Sequence, residues 1–248
     1  MIADFMSGLP TETASKLREA VARWKSLTPD EKALEVERLN QADRARRERD
    51  RDARRLARRD RLWQLSGIEA RFRTALLSDI QWAGNEPART AAMKALENRS
   101  LWLYGPIGAG KTHIATAIVG DAIQHDIEAV ILSGVTILDR IRSSYDDTGI
   151  VKPECVDVIS RLSKVPVLAL DDLGKERFTA WAAERFNRLI DDRYLAKLPL
   201  IVTSNCTPKE LEKHWSATGM DDSYGPALVR RIVAMTGNPV QVFGRRAR

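Results

Sequence analysis

The feature that most constrains the fold is a glycine-rich segment that joins an apolar run to a helical pattern. The apolar run Leu101–Tyr104 is typical of a buried strand. Gly105 and Gly110 follow it and frame four residues, and Lys111 and Thr112 come next. This spacing is the G-x-x-x-x-G-K-[ST] phosphate loop, whose backbone N–H groups surround a polyphosphate at the start of a helix. The sequence therefore predicts that the protein binds a nucleoside triphosphate.

The side chains at the end of the loop indicate how that ligand is held. The Lys111 ammonium can reach the β and γ phosphates, and the Thr112 hydroxyl can ligate Mg²⁺. We therefore expect Mg²⁺ to accompany the nucleotide. The residues of this segment expected to bind the nucleotide are Gly105, Gly108, Ala109, Gly110, Lys111, Thr112 and His113.

Composition and cysteine usage narrow the class of protein. The chain has 248 residues, of which 44% are hydrophobic, enough for the core of one α/β domain with an appendage. No apolar stretch approaches about eighteen residues, and residues 1–10 do not have the pattern of a secretory signal. Cys155, Cys206 and three histidines form neither a disulfide framework nor a zinc spacing. We expect a cytoplasmic protein with no membrane segment and no metal besides Mg²⁺.

The positive charge of the chain is concentrated in one segment. Residues 41–61 contain ten Arg, four Asp and one Glu, a local charge of +5, whereas the whole chain carries +6. Basic and acidic residues at helical spacing can support a solvated helix without a core. Three interpretations remain open: an exposed charged linker, a surface for the phosphate backbone of DNA, and a docking face for an acidic protein.

Two amphipathic helical patterns begin the chain. Apolar residues recur at helical spacing between residues 11 and 27. The sequence Thr28-Pro29-Asp30-Glu31 then predicts a second helix, because Thr28 suits the N-cap and Glu31 completes a capping box. This helix should continue through residue 61. The residues of the second helix expected to face inward are Ala33, Val36 and Leu39.

These patterns divide the chain into two parts. We expect an N-terminal helical hairpin with a charged helix over residues 1–65, a region that binds a partner. Residues 66–248 should form the nucleotide-binding domain, since apolar strands alternate there with helices, the pattern of a parallel sheet covered on both faces. The strands are expected at residues 101–104, 129–132, 165–170, 200–205 and 240–243.

Acidic and polar residues follow two of the predicted strands. Asp171 and Asp172 come directly after the apolar run that ends at Leu170, about 60 residues beyond the phosphate loop. A carboxylate at this position can hold Mg²⁺, as Asp171 would, and a second can orient the attacking water, as Asp172 would. Asn205 ends the next strand and is suited to contact the γ-phosphate or the water, although a simple strand-end cap is the alternative.

The order of these motifs resembles a known family. The phosphate loop, the sequence Leu170-Asp171-Asp172-Leu173-Gly174-Lys175-Glu176, the sequence Thr203-Ser204-Asn205 and the sequence Leu228-Val229-Arg230-Arg231-Ile232 occur in that order. This arrangement resembles the AAA+ ATPases of the bacterial DnaC/DnaI helicase-loader and IstB transposition-ATPase group, from about residue 67 onward. The resemblance implies a P-loop ATPase core with sheet order 5-1-4-3-2 that hydrolyses ATP.

The resemblance also implies roles for particular residues. Asn205 is similar to the sensor-1 residue. Arg231 is similar to the arginine finger that reaches a neighbouring subunit's ATP, with Arg230 as the alternative, so self-association through the ATP site is implied. Arg245 could act as a sensor-2 residue. Only seventeen residues follow Arg231, so we expect the helical lid domain to be absent or minimal.

Contacts to single-stranded DNA are implied in the same way. The positions that correspond to DNA contacts in the helicase loaders are Tyr145, Thr179 and Trp181. Aromatic faces can stack on bases of any sequence. The structural alternative is that Trp181 is a core aromatic residue of its helix.

Three functions remain open at this stage. The favoured one is a loader of the hexameric DnaB-type replicative helicase, which grips the helicase through the N-terminal helices. The second is an IstB-like ATPase that assembles on duplex DNA and recruits a transposase. The third is a small-molecule P-loop kinase, which would need a mobile lid. Asp172 stands where many AAA+ proteins have Glu, and we expect its shorter side chain to slow hydrolysis.

Overall fold

The computed structural model describes residues 11–144, 158–176, 179–216 and 224–244. The chain divides into two compact units, Met1–Leu56 and Ala57–Arg248. Within these described ranges, none of the helices has the length and apolar character of a membrane span. The functional division that the sequence predicts after residue 65 stays a prediction.

The first unit contains the two helices that the sequence predicts. Helix α1 covers Thr11–Ser26, and helix α2 begins at Pro29 and continues to Leu65 in the second unit. The capping box forms, because the Thr28 N–H donates to the Glu31 carboxylate at 2.8 Å and the Glu31 N–H donates to the Thr28 hydroxyl at 3.4 Å. These hydrogen bonds lower the pKa of Glu31. The start of α2 is therefore fixed by local chemistry.

The inward-facing stripe of the second helix is not confirmed. Val36 is 44% exposed and Leu39 is 57% exposed, and Ala33 is exposed as well. Helical spacing of apolar residues predicts that a face exists, but it does not say what covers the face. All three residues are exposed in the described structure, so the prediction that they face inward is wrong.

The second unit is built on a parallel sheet. Within the described residues the sheet has five strands in the order β2-β3-β4-β1-β5, and every neighbouring pair is parallel. This is the predicted order 5-1-4-3-2 read from the other edge, so the prediction is confirmed. The strands are β1 (Leu101–Tyr104), β2 (Ala129–Ser133), β3 (Val167–Leu173), β4 (Leu200–Ser204) and β5 (Val240–Gln241).

Helices cover both faces of the sheet, as predicted. One buried cluster packs the helices α5 to α9 against one face, and a second packs the helices α3 and α4 against the other. The helices are α3 (Glu86–Leu96), α4 (Lys111–Gln124), α5 (Gly134–Ser143), α6 (Val158–Lys164), α7 (Ala180–Leu195), α8 (Pro208–Ser216) and α9 (Tyr224–Thr236). The described residues that follow α9 contain β5 and no helical lid.

Helix α8 is an element that the sequence analysis missed, although its signal is present. The sequence Thr207-Pro208-Lys209-Glu210 has the same capping pattern as the start of α2. The Thr207 N–H donates to the Glu210 carboxylate at 2.7 Å, and the Glu210 N–H donates to the Thr207 hydroxyl at 3.3 Å. The capping-box rule therefore predicts the starts of both α2 and α8.

A buried arginine joins two loops at the end of the sheet opposite the phosphate loop. Arg193, near the end of α7, is fully buried, and burial lowers its pKa to about 10. Its guanidinium donates to the carbonyls of Leu162 at 2.8 Å and Val165 at 2.7 Å, and to that of Pro199. The loops that lead into β3 and β4 are thus tied to one side chain, which fixes where both strands begin.

Candidate functional site

The phosphate loop has a backbone shape that its glycines permit. Gly105 has a φ of +150°, and a Cβ at this position would lie 2.2 Å from the carbonyl oxygen of Val242, so only glycine lets the loop pass the chain beyond β5. Gly110 has a φ of +94° and precedes α4 without a side-chain cap. The first N–H groups of a helix have no acceptor within the helix. The start of α4 therefore presents donors to an anion, with open space beside Gly110.

Lys111 is the buried cation of the loop. The residue is 5% exposed, and its ammonium donates to the carbonyls of Gly105 and Pro106, both at 2.9 Å, and to Oδ1 of Asn205 at 2.8 Å. Burial lowers the pKa of Lys111, and the charges of the nearby carboxylates oppose that shift. This contact brings Asn205 to the phosphate loop, because β4 is the neighbour of β1 in the sheet.

Thr112 and Asp171, the two residues predicted to hold Mg²⁺, contact each other. The Thr112 hydroxyl lies 3.0 Å from Oδ1 and 3.2 Å from Oδ2 of Asp171. Thr203, which the sequence analysis did not select, donates from its hydroxyl to Asp171 Oδ1 at 2.6 Å. Burial raises the pKa of Asp171, while the hydrogen bonds from both threonines oppose that rise. Hydroxyl and carboxylate oxygens are ligands that Mg²⁺ prefers, so these residues fit the ion.

Asp172 has different surroundings from Asp171. The sequence predicts that β3 ends at Leu170, but the strand continues to Leu173 with an irregular register between these residues. Asp172 takes a φ of +54° at this irregularity, and its N–H donates to the Thr203 hydroxyl at 2.9 Å. Because of this left-handed backbone, the Asp172 carboxylate does not point in the direction that a regular strand would give it.

Lys175 pairs with this second carboxylate and was missed by the sequence analysis. Its ammonium lies 2.7 Å from Oδ2 of Asp172. The side chain of Asp172 is 29% exposed and that of Lys175 is 53% exposed. The signal for this contact was its spacing, three residues after Asp172, but a regular strand would have placed the two side chains on opposite faces.

A buried glutamate closes the turn that follows β3. Glu176 is 3% exposed and accepts from the N–H of Gly174 at 3.1 Å. A Cβ at Gly134, at the start of α5, would lie 2.6 Å from Oε2 of Glu176. Burial raises the pKa of Glu176. The turn that carries Lys175 is therefore held against α5.

Several predicted site residues lie away from the phosphate loop or outside the described residues. The Arg231 guanidinium lies 2.7 Å from Oδ1 of Asp191 and 5.2 Å from the ring centre of Tyr194. Its contacts within the described residues do not include the phosphate loop. His113 is half-buried and meets the Phe72 ring edge-on at 6.2 Å. Tyr145 and Arg245 lie outside the described residues.

The two described DNA-contact candidates lie at the start of α7, where both make contacts within the chain. Thr179 caps this helix by accepting from the N–H of Ala182 at 3.2 Å. Trp181 is half-buried against the core, with the guanidinium of Arg142 at 5.1 Å from its ring centre and that of Arg185 at 5.8 Å. These contacts fit the core-aromatic alternative, and the DNA-binding roles of Thr179 and Trp181 stay predictions.

The burial of Asp171 leads to a testable effect on stability. Because the pKa of Asp171 is raised in the folded protein, ionisation of this carboxyl at neutral pH opposes folding. We expect Asp171→Asn to raise the melting temperature of the nucleotide-free protein at pH 7 by roughly 2–4 °C, the shift that about 1 kcal/mol produces in a chain of this size. The gain should shrink as the pH falls into the range where the carboxyl is protonated.

Thermal unfolding at several pH values measures this effect. The control is Asp172→Asn, which changes a neighbouring carboxylate that is not buried in the same way and should shift the melting temperature little. A lower melting temperature for Asp171→Asn at pH 7, or a gain that is independent of pH, would contradict the account.

Comparison with known proteins identifies relatives of this chain. A family model described as IstB-like ATP binding protein matches residues 13–247. The chain is 24% identical over 155 residues to the replicative helicase loader DnaI of Bacillus subtilis (strain 168), covering 61% of this chain and 48% of that protein. It is 28% identical over 144 residues to an ATP-binding protein in an insertion sequence of Mycobacterium tuberculosis, covering 58% of this chain and 54% of that protein. The chain thus spans about half the length of these curated relatives.

A solved structure shows the same fold. The crystal structure of DnaI superposes with a TM-score of 0.62 at 22% sequence identity, covering 76% of this chain and all of that chain. At this identity the likeness concerns the fold alone, which is that of an AAA+ P-loop ATPase core. The resemblance noted from the motifs is confirmed, and because the family match runs through almost the whole sequence, the chain belongs to the family of IstB-like ATP binding proteins.

Proposed function

We propose that this protein is an ATPase that loads a replicative DNA helicase of the DnaB type. The observation that supports an ATPase is the convergence of Lys111, Thr112, Asp171, Asp172 and Asn205 at one edge of the sheet. ATP with Mg²⁺ would supply the phosphoanhydride bond and the charge that polarises it. The protein contributes the groups that bind the nucleotide, orient the attacking water and accept a proton from it.

Each of these residues has a role that its contacts support. The Lys111 ammonium would exchange the carbonyls and Asn205 for phosphate oxygens, which are stronger acceptors because they are charged. Asn205, released from this contact, can then orient water. Thr112 and Asp171 would hold Mg²⁺. The Asp172 carboxylate is the group that would accept a proton from water, and the Lys175 ammonium competes for the same oxygen.

Self-association through the ATP site forms part of the proposal. Arg231 lies on α9 with a side chain that is 41% exposed, paired with Asp191. An exposed ion pair contributes little to stability, so the guanidinium can leave it at small cost. In this proposal Arg231 completes the ATP site of a neighbouring subunit, and assembly therefore controls hydrolysis.

The helicase is proposed as the partner of the N-terminal helices. Their exposed apolar residues include Trp24 at 38%, Val36 at 44% and Leu39 at 57%. Exposed apolar residues at helical spacing are typical of a helix that packs against another protein. The similarity to a helicase loader supports the choice of partner, and single-stranded DNA is the proposed second ligand.

An IstB-like transposition ATPase is the second candidate. It is favoured by the similarity to a protein encoded in an insertion sequence and by the charge of residues 41–61. In this case the protein would assemble on duplex DNA and recruit a transposase. The two candidates share the ATP site and differ in the macromolecule that the N-terminal helices meet.

The proposed base can be tested by turnover. We expect Asp172→Asn to bind ATP as the natural protein does and to hydrolyse it roughly 100-fold more slowly or worse, the usual contribution of a general base. The companion variant Lys175→Met removes the competing ammonium and should not slow hydrolysis. Steady-state phosphate release and nucleotide titration measure the two properties, and unchanged turnover in Asp172→Asn would remove Asp172 as the base.

The partner can be tested by size-exclusion chromatography with light scattering. We expect the protein to co-elute with the replicative helicase of its host in the presence of ATP. A double variant, Val36→Ser with Leu39→Ser, should lose this complex if exposed apolar residues form the grip, while a Leu195→Ser variant, which alters a residue 77% exposed on α7, should keep it. Assembly on duplex DNA without helicase binding would favour the transposition ATPase.

A further inference from the structure

We propose that Lys175 binds the γ-phosphate of ATP and thereby lets the protein distinguish ATP from ADP. The inference rests on the proposed function, in which Asp172 is the base. In the structure the Lys175 ammonium lies 2.7 Å from Oδ2 of Asp172. A triphosphate would draw the ammonium to itself and free this carboxylate, whereas a diphosphate would leave the ion pair intact.

The backbone that carries Lys175 is fixed at the end of β3. The Ser204 hydroxyl, on β4, donates to the carbonyl of Leu173 at 2.6 Å. The buried carboxylate of Glu176 accepts from the N–H of Gly174 at 3.1 Å. The residues that flank Lys175 are therefore held in place, and its side chain starts from a defined position beside the ends of the two strands.

The side chain of Lys175 can move although its backbone is held. It is 53% exposed, and the side chain of its partner Asp172 is 29% exposed. An ion pair exposed to water contributes only about 0–1 kcal/mol to stability. The four-carbon stem of a lysine is flexible, so the ammonium can turn to a new acceptor while the backbone stays in place. The ion pair can therefore open when a stronger acceptor is near.

The charge of Lys175 already acts on the predicted ATP site. Burial lowers the pKa of Lys111, and the positive charge of Lys175 adds to that lowering. Burial raises the pKa of Asp171, and the charge of Lys175 opposes that rise. Lys175 is thus close enough to interact electrostatically with the lysine of the phosphate loop and with the carboxylate proposed to hold Mg²⁺. It is a second cation of this site besides Lys111.

The position of the base favours the terminal phosphate as the ligand. A general base has to lie within hydrogen-bond reach of the water that it deprotonates, and in ATP hydrolysis this water attacks the γ-phosphate. The ammonium beside Asp172 would therefore lie nearer to the γ-phosphate than to the phosphates that ADP shares with ATP. A terminal phosphate group carries more negative charge than a carboxylate and has three acceptor oxygens, so it competes well for the ammonium.

This exchange would link the state of the base to the nucleotide. With an empty site or with ADP, Lys175 occupies Oδ2 of Asp172. With ATP, the carboxylate becomes available to water. Removal of Lys175 both deletes a phosphate contact and frees the base, so turnover alone does not test the inference, whereas nucleotide binding does.

Calorimetric titration of three variants of the full chain, in the presence of Mg²⁺, tests the inference. The ligands are ADP and an ATP analogue with a methylene bridge between the β and γ phosphates, which is not hydrolysed. Lys175→Met removes the ammonium, and Lys175→Arg keeps a positive charge. The control Lys164→Met removes an exposed charge at the end of α6, which precedes β3 and therefore lies at the opposite end of the strand. Thermal unfolding checks that each variant is folded.

We expect Lys175→Met to bind the analogue roughly tenfold more weakly than the natural protein does, the loss of about one charge-assisted hydrogen bond. Its affinity for ADP should stay nearly unchanged, because ADP has no γ-phosphate. Lys175→Arg should keep most of the preference for the analogue over ADP, since its charge remains. Lys164→Met should bind both nucleotides as the natural protein does.

Several results would overturn the inference. An unchanged affinity of Lys175→Met for the analogue, or an equal loss for both nucleotides, would show that Lys175 does not bind the γ-phosphate. A loss in Lys164→Met as large as that in Lys175→Met would show that only net charge matters. These results would leave the proposed ATPase intact, because Asp172→Asn tests the base separately. A natural protein that bound neither nucleotide would contradict the proposed function and this inference together.

Discussion

The burial of one cation organises this site. The Lys111 ammonium is nearly inaccessible, and it is held by two carbonyls of the phosphate loop and by Asn205 at the end of β4. A buried charge is tolerated only when its hydrogen bonds are made. The loop therefore has to wrap around Lys111, and β4 has to lie beside β1. The strand order β2-β3-β4-β1-β5 meets this requirement and also brings β3 next to β4.

The two carboxylates of β3 are distinguished by what surrounds them. Asp171 is half-buried beside two threonine hydroxyls, whereas Asp172 leaves the regular strand and meets the ammonium of Lys175. Thr203 contacts both residues, because its hydroxyl accepts from the Asp172 N–H and donates to Asp171. The Thr203 side chain on β4 thus helps to hold two different carboxylates in place: Asp171, which is suited to hold a metal, and Asp172, which is suited to accept a proton.

Much of the fold and the centre of the site could be predicted from the sequence, since local rules govern them. The phosphate-loop spacing fixes the start of α4 at Lys111, and alternating apolar strands and helices indicate the covered sheet. The sequence did not show Lys175 against Asp172, because that contact depends on a left-handed residue inside a strand. Nor could it show that Val36 and Leu39 are exposed, since an apolar stripe does not name its partner.

The central claim is that the loop, the strand ends and Asn205 form one site for ATP with Mg²⁺. Calorimetric titration of Mg·ATP into the natural protein and into Lys111→Ala tests it most directly. We expect one site per chain in the natural protein. In the variant the affinity should fall about 100-fold, or roughly 2.7 kcal/mol, since charge-assisted hydrogen bonds to phosphate are lost. Equal affinities in the two proteins would show that ATP binds elsewhere and would contradict the account.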